Sequence, residues 1–266
     1  MEIKDRSRER EEFLLILSAF RQMIYSFENS AESMEHYADM ILYRASALME
    51  RVLEGLKIDF DEALDLLQAK NISITAREES ERDTIITAFD NLIDFATAAE
   101  YAMMQELPKE LNLNDMELYD AICQKYNEQY AIVENEQVLH SGKIAAFWLG
   151  QSAETIITYN TQNDERVRAW HQSFDGLSYK KSEFPPELIP PIEWACRCFL
   201  TANGYGYISN SILRPKIKVN PIFRESLATG GRIFSDAHPY FKHKLPKEIV
   251  AISNQIKHRL YAKNNA

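Results

Sequence analysis

The sequence predicts an α+β protein: a long helical first half, a small mixed module, and a basic, loop-rich tail that ends in one helix. Three observations carry that expectation. The first 141 residues hold a single glycine, Gly55, and a single proline, Pro108, and so few breakers favour long helices. Thr155 to Tyr159 reads T-I-I-T-Y, a β-branched and aromatic run suited to a strand. Eight of the nine prolines lie at or beyond Pro185, where the missing N–H and fixed φ oppose helix. The division that follows is a helical domain over 1–141, a compact module over 142–201 and a tail over 202–266.

Each element has its own signal. Phe13, Ile16, Leu17, Phe20, Ile24 and Phe27 recur at three- and four-residue spacing, one apolar face of a first helix. Ser30 offers an N-cap for a second, with Met34, Tyr37, Ile41, Ala45, Leu48 and Val52 inward and Gly55 as its end. Phe60 to Leu67 gives a short third helix. Ser80 or Asp83 opens a fourth, with Ile86, Phe89, Ile93, Ala96 and Tyr101 inward and Pro108 beyond it. A fifth runs from Asn114 to about Val138, with Met116, Leu118, Tyr119, Ile122 and Tyr126 facing in. Around Ser141-Gly142 the pattern changes, leaving at best a short helix over 143–151. After the Thr155–Tyr159 strand, Asn160 to Glu165 is polar turn chemistry, and Leu177 to Tyr179 can pair back as a second strand. Pro185 to Pro191 reads as an extended loop, and Lys247 to Tyr261 as the closing helix.

The bulk composition is that of a water-soluble globular chain, 45% hydrophobic and 26% charged. No run of 18 apolar residues offers a membrane span, and Met1 to Glu12 lacks the apolar core of a signal peptide. Three cysteines, two of them one residue apart, do not make a disulfide framework, so a reducing, cytoplasmic compartment is expected. The net charge of -10 is unevenly spread. Residues 199–266 hold 11 Lys/Arg against 3 Asp/Glu, a balance of +8, leaving -18 on the preceding 198. Such asymmetry suits an anionic partner at one end, nucleic acid or an acidic protein surface, with a solvated tail as the plainer alternative.

Chemistry concentrates between Asp164 and Cys198. In an extended Cys196-Arg197-Cys198 segment the two thiols share a face while Arg197 points away. With His171 they supply three zinc-type ligands, and Glu193, Asp164, His238 or water would be the fourth. Two buried small residues beside a hydrogen-bonded histidine is the competing reading. Arg166 and Arg168 alternate with Asp164, Asp175 and Glu193, a pattern for internal arginine–carboxylate pairing. His171 with Cys196 could also serve as a base and nucleophile. Gly204 and Gly206 flank Tyr205 without a phosphate-loop pattern, however, and no oxyanion hole is evident. No residue is therefore assigned a catalytic role, and no cofactor is expected apart from zinc as a candidate.

The order of these elements resembles the signature of the phage Mu F-type head morphogenesis family, minor head proteins of tailed phages and prophages. The matching residues are Asp164, Arg166, Val167, Arg168, His171, Phe174-Asp175-Gly176, Pro190-Pro191 and Cys196-Arg197-Cys198, with Ile233 to Phe241 as a later echo. The resemblance spans roughly 143–241. It implies a structural protein of the phage head, associated with the portal or inner capsid and assembling there as an oligomer, with a role in DNA packaging or ejection. It places the protein in the virion and, before assembly, in the host cytoplasm. On that reading Asp164, Arg166, Arg168, His171, Asp175, Gly176, Pro190, Pro191 and Arg197 form a structural clip, and the basic tail faces genome DNA or the portal. A phage-delivered effector enzyme using His171 and Cys196, and a zinc-stabilised DNA-binding module, are the alternatives.

Overall fold

The computed structural model describes residues 6–68, 75–202 and 219–262. Gly204, Tyr205, Gly206 and the basic residues Arg214, Lys216 and Lys218 lie outside that set. The architecture is α+β, with eight helices and a three-stranded antiparallel sheet among the described residues. None of these helices is long and apolar enough to cross a membrane. Contacts divide the chain into two compact units that interleave along the sequence: residues 1–50, 89–135 and 238–266 form one, and residues 51–88 and 136–237 the other.

The first unit is helical. Helix α1, Ser7–Tyr25, buries Phe13, Ile16, Phe20 and Ile24 as its periodicity predicts, together with Ala19 and Met23, whereas Phe27 lies past its end and is exposed. Helix α2, Ser30–Leu56, contributes its residues up to Glu50. Ser30 is already helical, not its cap; Asn29 precedes it, bonding the Glu32 carboxylate through its side chain. Helix α4, Ala76–Met104, contributes from Phe89 onward. A 3-10 turn at Leu113–Asp115 leads into α5, Met116–Gln124, then a π-turn at Lys125–Tyr130 and the start of α6, Ala131–Leu149. Tyr119 and Tyr126 are buried along this run as expected, but Leu118 is 53% exposed. Arg21 grips Asp120 with two bonds of 3.0 and 2.6 Å and so fastens α1 to α5. The last helix, α8, Lys247–Tyr261, docks on α4: Ser253 and Lys257 donate to Asp94 and Tyr261 to Asp90, all at 2.8 Å.

The second unit begins with the end of α2, where two sequence expectations fail for one reason. Gly55 does not end the helix and Gly142 does not break the next. A Cβ on Gly55 would lie 2.6 Å from the Leu139 carbonyl and 2.8 Å from Gly142 Cα. Both glycines are the point where α2 and α6 touch backbone to backbone, and only a missing side chain permits that approach. Helix α6 therefore runs unbroken through Gly142 to Leu149. The stop of α2 is Lys57, in the left-handed region at φ 62°. Helix α3 covers Phe60–Gln68, with Asp59 accepting the Glu62 N–H at its start. Helix α4 opens a turn earlier than Ser80, because Thr75 and Glu78 exchange bonds in a capping box.

The sheet of this unit is centred on β1, Ile156–Asn160, flanked by β2, Ser178–Lys180, and β3, Phe199–Thr201. Ile157 pairs with Tyr179 and Tyr159 with Leu200, and all four are buried. The one-turn helix α7, Ala169–Gln172, lies between β1 and β2. The proline loop is not wholly extended: Pro186–Leu188 makes a 3-10 turn, and the Pro190–Pro191 bond is cis.

Candidate functional site

The Asp164–Cys198 stretch is built on β1 and on the segment entering β3. At the end of β1, the Asp175 carboxylate accepts the Thr161 N–H at 2.6 Å and its hydroxyl at 2.9 Å. Gly176, at φ 81°, donates to the Tyr159 carbonyl at 2.9 Å, a turn geometry that favours glycine. These bonds fix the register in which Phe174 and α7 sit over β1. His171 then lies under the edge of the Trp170 ring, 4.0 Å between centroids.

Cys196 and Cys198 reach the same place from the other side. Cys196 N–H closes a turn on the Glu193 carbonyl at 3.2 Å, and Ala195 within it takes φ 52°. A non-glycine residue there costs about 1 kcal/mol, which the packing around it must offset. His171 Nδ1 is 3.2 Å from Cys198 Sγ and 3.8 Å from Cys196 Sγ. All three ligand atoms lie within 4.8 Å of one another, and the residues are 2%, 5% and 2% exposed for His171, Cys196 and Cys198. The pair of thiols is electrostatically unequal. Hydrogen bonding from Cys198 first, then from His140 and His171, draws the Cys196 thiol well below its ordinary range. Its neighbour Cys198 is pushed up, by the bond to Cys196 and by burial.

The other residues of the stretch hold this place from outside it. Asp164 pairs two-pronged with Arg197 at 2.8 and 2.5 Å, not with Arg166 or Arg168 as the charge pattern suggested. Arg197, facing away from the thiols, is the one that can reach it. Arg166 is exposed and gives its backbone N–H to Asp164. Arg168 donates from its guanidinium to the Trp194 carbonyl at 2.9 Å, and Gln162 to the Arg197 carbonyl at 3.1 Å. Pro190 and Pro191 are buried.

None of the expected fourth ligands joins the trio among the described residues. Glu193 is turned to the Trp194 N–H and the Asn220 amide, and Asp164 is held by Arg197. His238 accepts the Tyr240 N–H and packs on Phe95, and burial lowers its pKa to about 4. Two residues of α6 matter that sequence reasoning passed over. His140 Nε2 is 2.9 Å from the Cys198 carbonyl oxygen, and Gln137 donates to the Glu193 carbonyl at 3.3 Å. Ending the fifth helix near Val138 hid His140; continuing the periodicity to Leu149 would have put both side chains on one α6 face.

Residues 96–201 match the model of the family described as Phage Mu protein F like protein. The match starts inside α4, takes in α5 and α6, and stops at the last residue of β3, so it reaches further back than the motifs do and leaves out Ile233 to Phe241. Its inclusion of α6 accords with the grip of Gln137 and His140 on the cysteine segment. An uncharacterized protein of Methanocaldococcus jannaschii is 44% identical over 45 residues, which is 17% of this chain and 7% of that protein. The chain thus spans a small fraction of that relative's length. No solved structure matches.

Proposed function

We propose that the chain, which carries the Phage Mu protein F like module over residues 96–201, is a minor head protein of a tailed phage or prophage with a structural role in head morphogenesis. The observation that carries the reading is the coincidence of that match with the ordered residues Asp164 to Cys198. Asp164, Arg168, Asp175 and Arg197 spend their bonds on holding a turn or a neighbouring segment.

On this reading the protein sits at the portal or inner capsid, as one copy among several in the assembled head, and in the host cytoplasm before assembly. The module over 142–201 is the rigid clip and the acidic helices offer protein contacts. The basic tail faces genome DNA or the portal. Among its described residues Arg232 is taken up by Glu225 and Asp236, and Lys257 by Asp90 and Asp94. Packaging or ejection is served through position, and no catalytic role is assigned.

Purification of assembled heads tests this directly: the chain should be found with the portal protein in a fixed ratio. Its presence only as free protein in infected or induced cells would overturn the reading. DNA binding by the full chain, if it serves packaging, should weaken steeply with salt.

A further inference from the structure

We propose that His171 Nδ1, Cys196 Sγ and Cys198 Sγ form a binding site for a thiophilic divalent ion, zinc in the cell, that cross-links α7 to the strand segment entering β3. The inference does not rest on the head-protein reading, and either can fail alone.

Spacing is the first argument. A tetrahedral zinc with bonds of about 2.0 Å to nitrogen and 2.3 Å to sulfur sets its ligand atoms roughly 3.5–3.8 Å apart. The observed nitrogen–sulfur distances are 3.2 and 3.8 Å. The donor set is the second: one imidazole and two thiols are the ligands that zinc and similar soft ions prefer over calcium or magnesium.

The third argument is the imidazole itself: its Nδ1 is aimed at both thiols, where a thiol is only a weak hydrogen-bond partner and a bound ion would be a strong one. The surroundings are prepared as well: His140 holds the Cys198 carbonyl and Gln137 the Glu193 carbonyl, so both ends of the Cys196–Cys198 segment are tied to α6. Supports of this kind orient metal ligands without touching the ion. Since no further protein ligand is in place among the described residues, the fourth position belongs to a solvent molecule.

The test uses the full chain. After incubation with zinc and gel filtration, elemental analysis should find about one zinc per chain. Replacement by cobalt(II) should give the near-ultraviolet sulfur-to-metal charge-transfer band of a two-thiolate site. Cys196→Ser and Cys198→Ser should each lose about half of that band and bind the ion at least tenfold more weakly. Cys123→Ser should change neither, since Cys123 lies on α5. Should the site variants fail to fold, the wild type decides: a chelator should lower its melting temperature, and zinc should restore it. Zinc well below one equivalent after incubation, or a cobalt spectrum without thiolate bands, would overturn the site. So would a Cys123→Ser variant that loses the band as the others do.

Discussion

The helical unit and the motif-rich stretch of the other unit handle charge in opposite ways. In the helical unit, charges are taken inside. Arg44 on α2 and Glu134 on α6 form a fully buried pair, with the Tyr240 hydroxyl donating to the same carboxylate at 3.0 Å. A second carboxyl, Glu100 on α4, is buried with them and has one amide bond, from Asn127 in the π-turn, at 3.2 Å. In the other unit, the motif-rich stretch buries sulfur and imidazole and leaves its ion pair at the surface. The Asp164 and Arg197 side chains are 41% and 33% exposed. The residues most conspicuous in the sequence are thus electrostatically cheap, and the expensive ones sit in helical stretches that read as ordinary.

The largest expected effect follows from breaking the buried pair. Arg44→Ala leaves Glu134 without its countercharge in a site where burial already outweighs the arginine and raises the carboxyl's pKa. Removing one partner of such a pair costs about 3–5 kcal/mol, to be read as a fall in urea midpoint or melting temperature. Arg44→Met combined with Glu134→Gln should recover much of the loss. A small effect for the single change would mean that this core is wet, and the contrast between the units would go.

Glu100 sharpens the comparison through pH. It faces Arg44 and Tyr37 from α2, Cys123 from α5, Asn127 from the π-turn and Glu134 from α6. Burial raises its pKa to about 7 from about 4.5, so the folded protein keeps a proton that the unfolded chain releases earlier. Its contribution is complete below the unfolded pKa and is lost as pH rises through the folded one. Between pH 4.5 and 7 the wild type should lose roughly 2–4 kcal/mol relative to Glu100→Gln, which has no proton to release. Urea unfolding of both proteins at pH 5 and 8 checks it; parallel curves would refute the assignment.

What could be read from the sequence follows the same line. Local signals gave α3, the β1–β2 pairing, α8 and the shared face of Cys196 and Cys198, because each depends on periodicity or on residues close in sequence. Gly55 and Gly142 misled, since a glycine that ends a helix and one that lets two helices touch look alike until the partner is known. Asp164 finding Arg197 instead of Arg166, and His140 reaching the Cys198 carbonyl, depend on segments brought together over 33 and 58 residues. No local pattern encodes such a meeting. Arg44, Glu100 and Glu134 were hidden for another reason: on a helix, a charge facing in differs from a charge facing out by one position in the repeat.

A smaller effect is expected at the half-buried end of the motif. Asp175→Ala removes both bonds to Thr161 and should cost about 1–2 kcal/mol. Hydrogen exchange at the Thr161 amide should quicken more than exchange elsewhere in β1.

The smallest belongs to the most prominent pair of the motif. Arg197 holds the Asp164 carboxyl below its usual range, yet both groups remain in contact with water. Solvent screening and side-chain entropy leave exposed pairs with little net effect on stability. The segment itself is held without them, by Gln162 on the Arg197 carbonyl and Arg168 on the Trp194 carbonyl. Asp164→Asn should therefore leave the urea midpoint unchanged within experimental scatter, at low and at high salt. A shift as large as that of Asp175→Ala would show that this surface pair fastens the clip, and the division between a helical core that depends on its charges and a motif that does not would have to be redrawn.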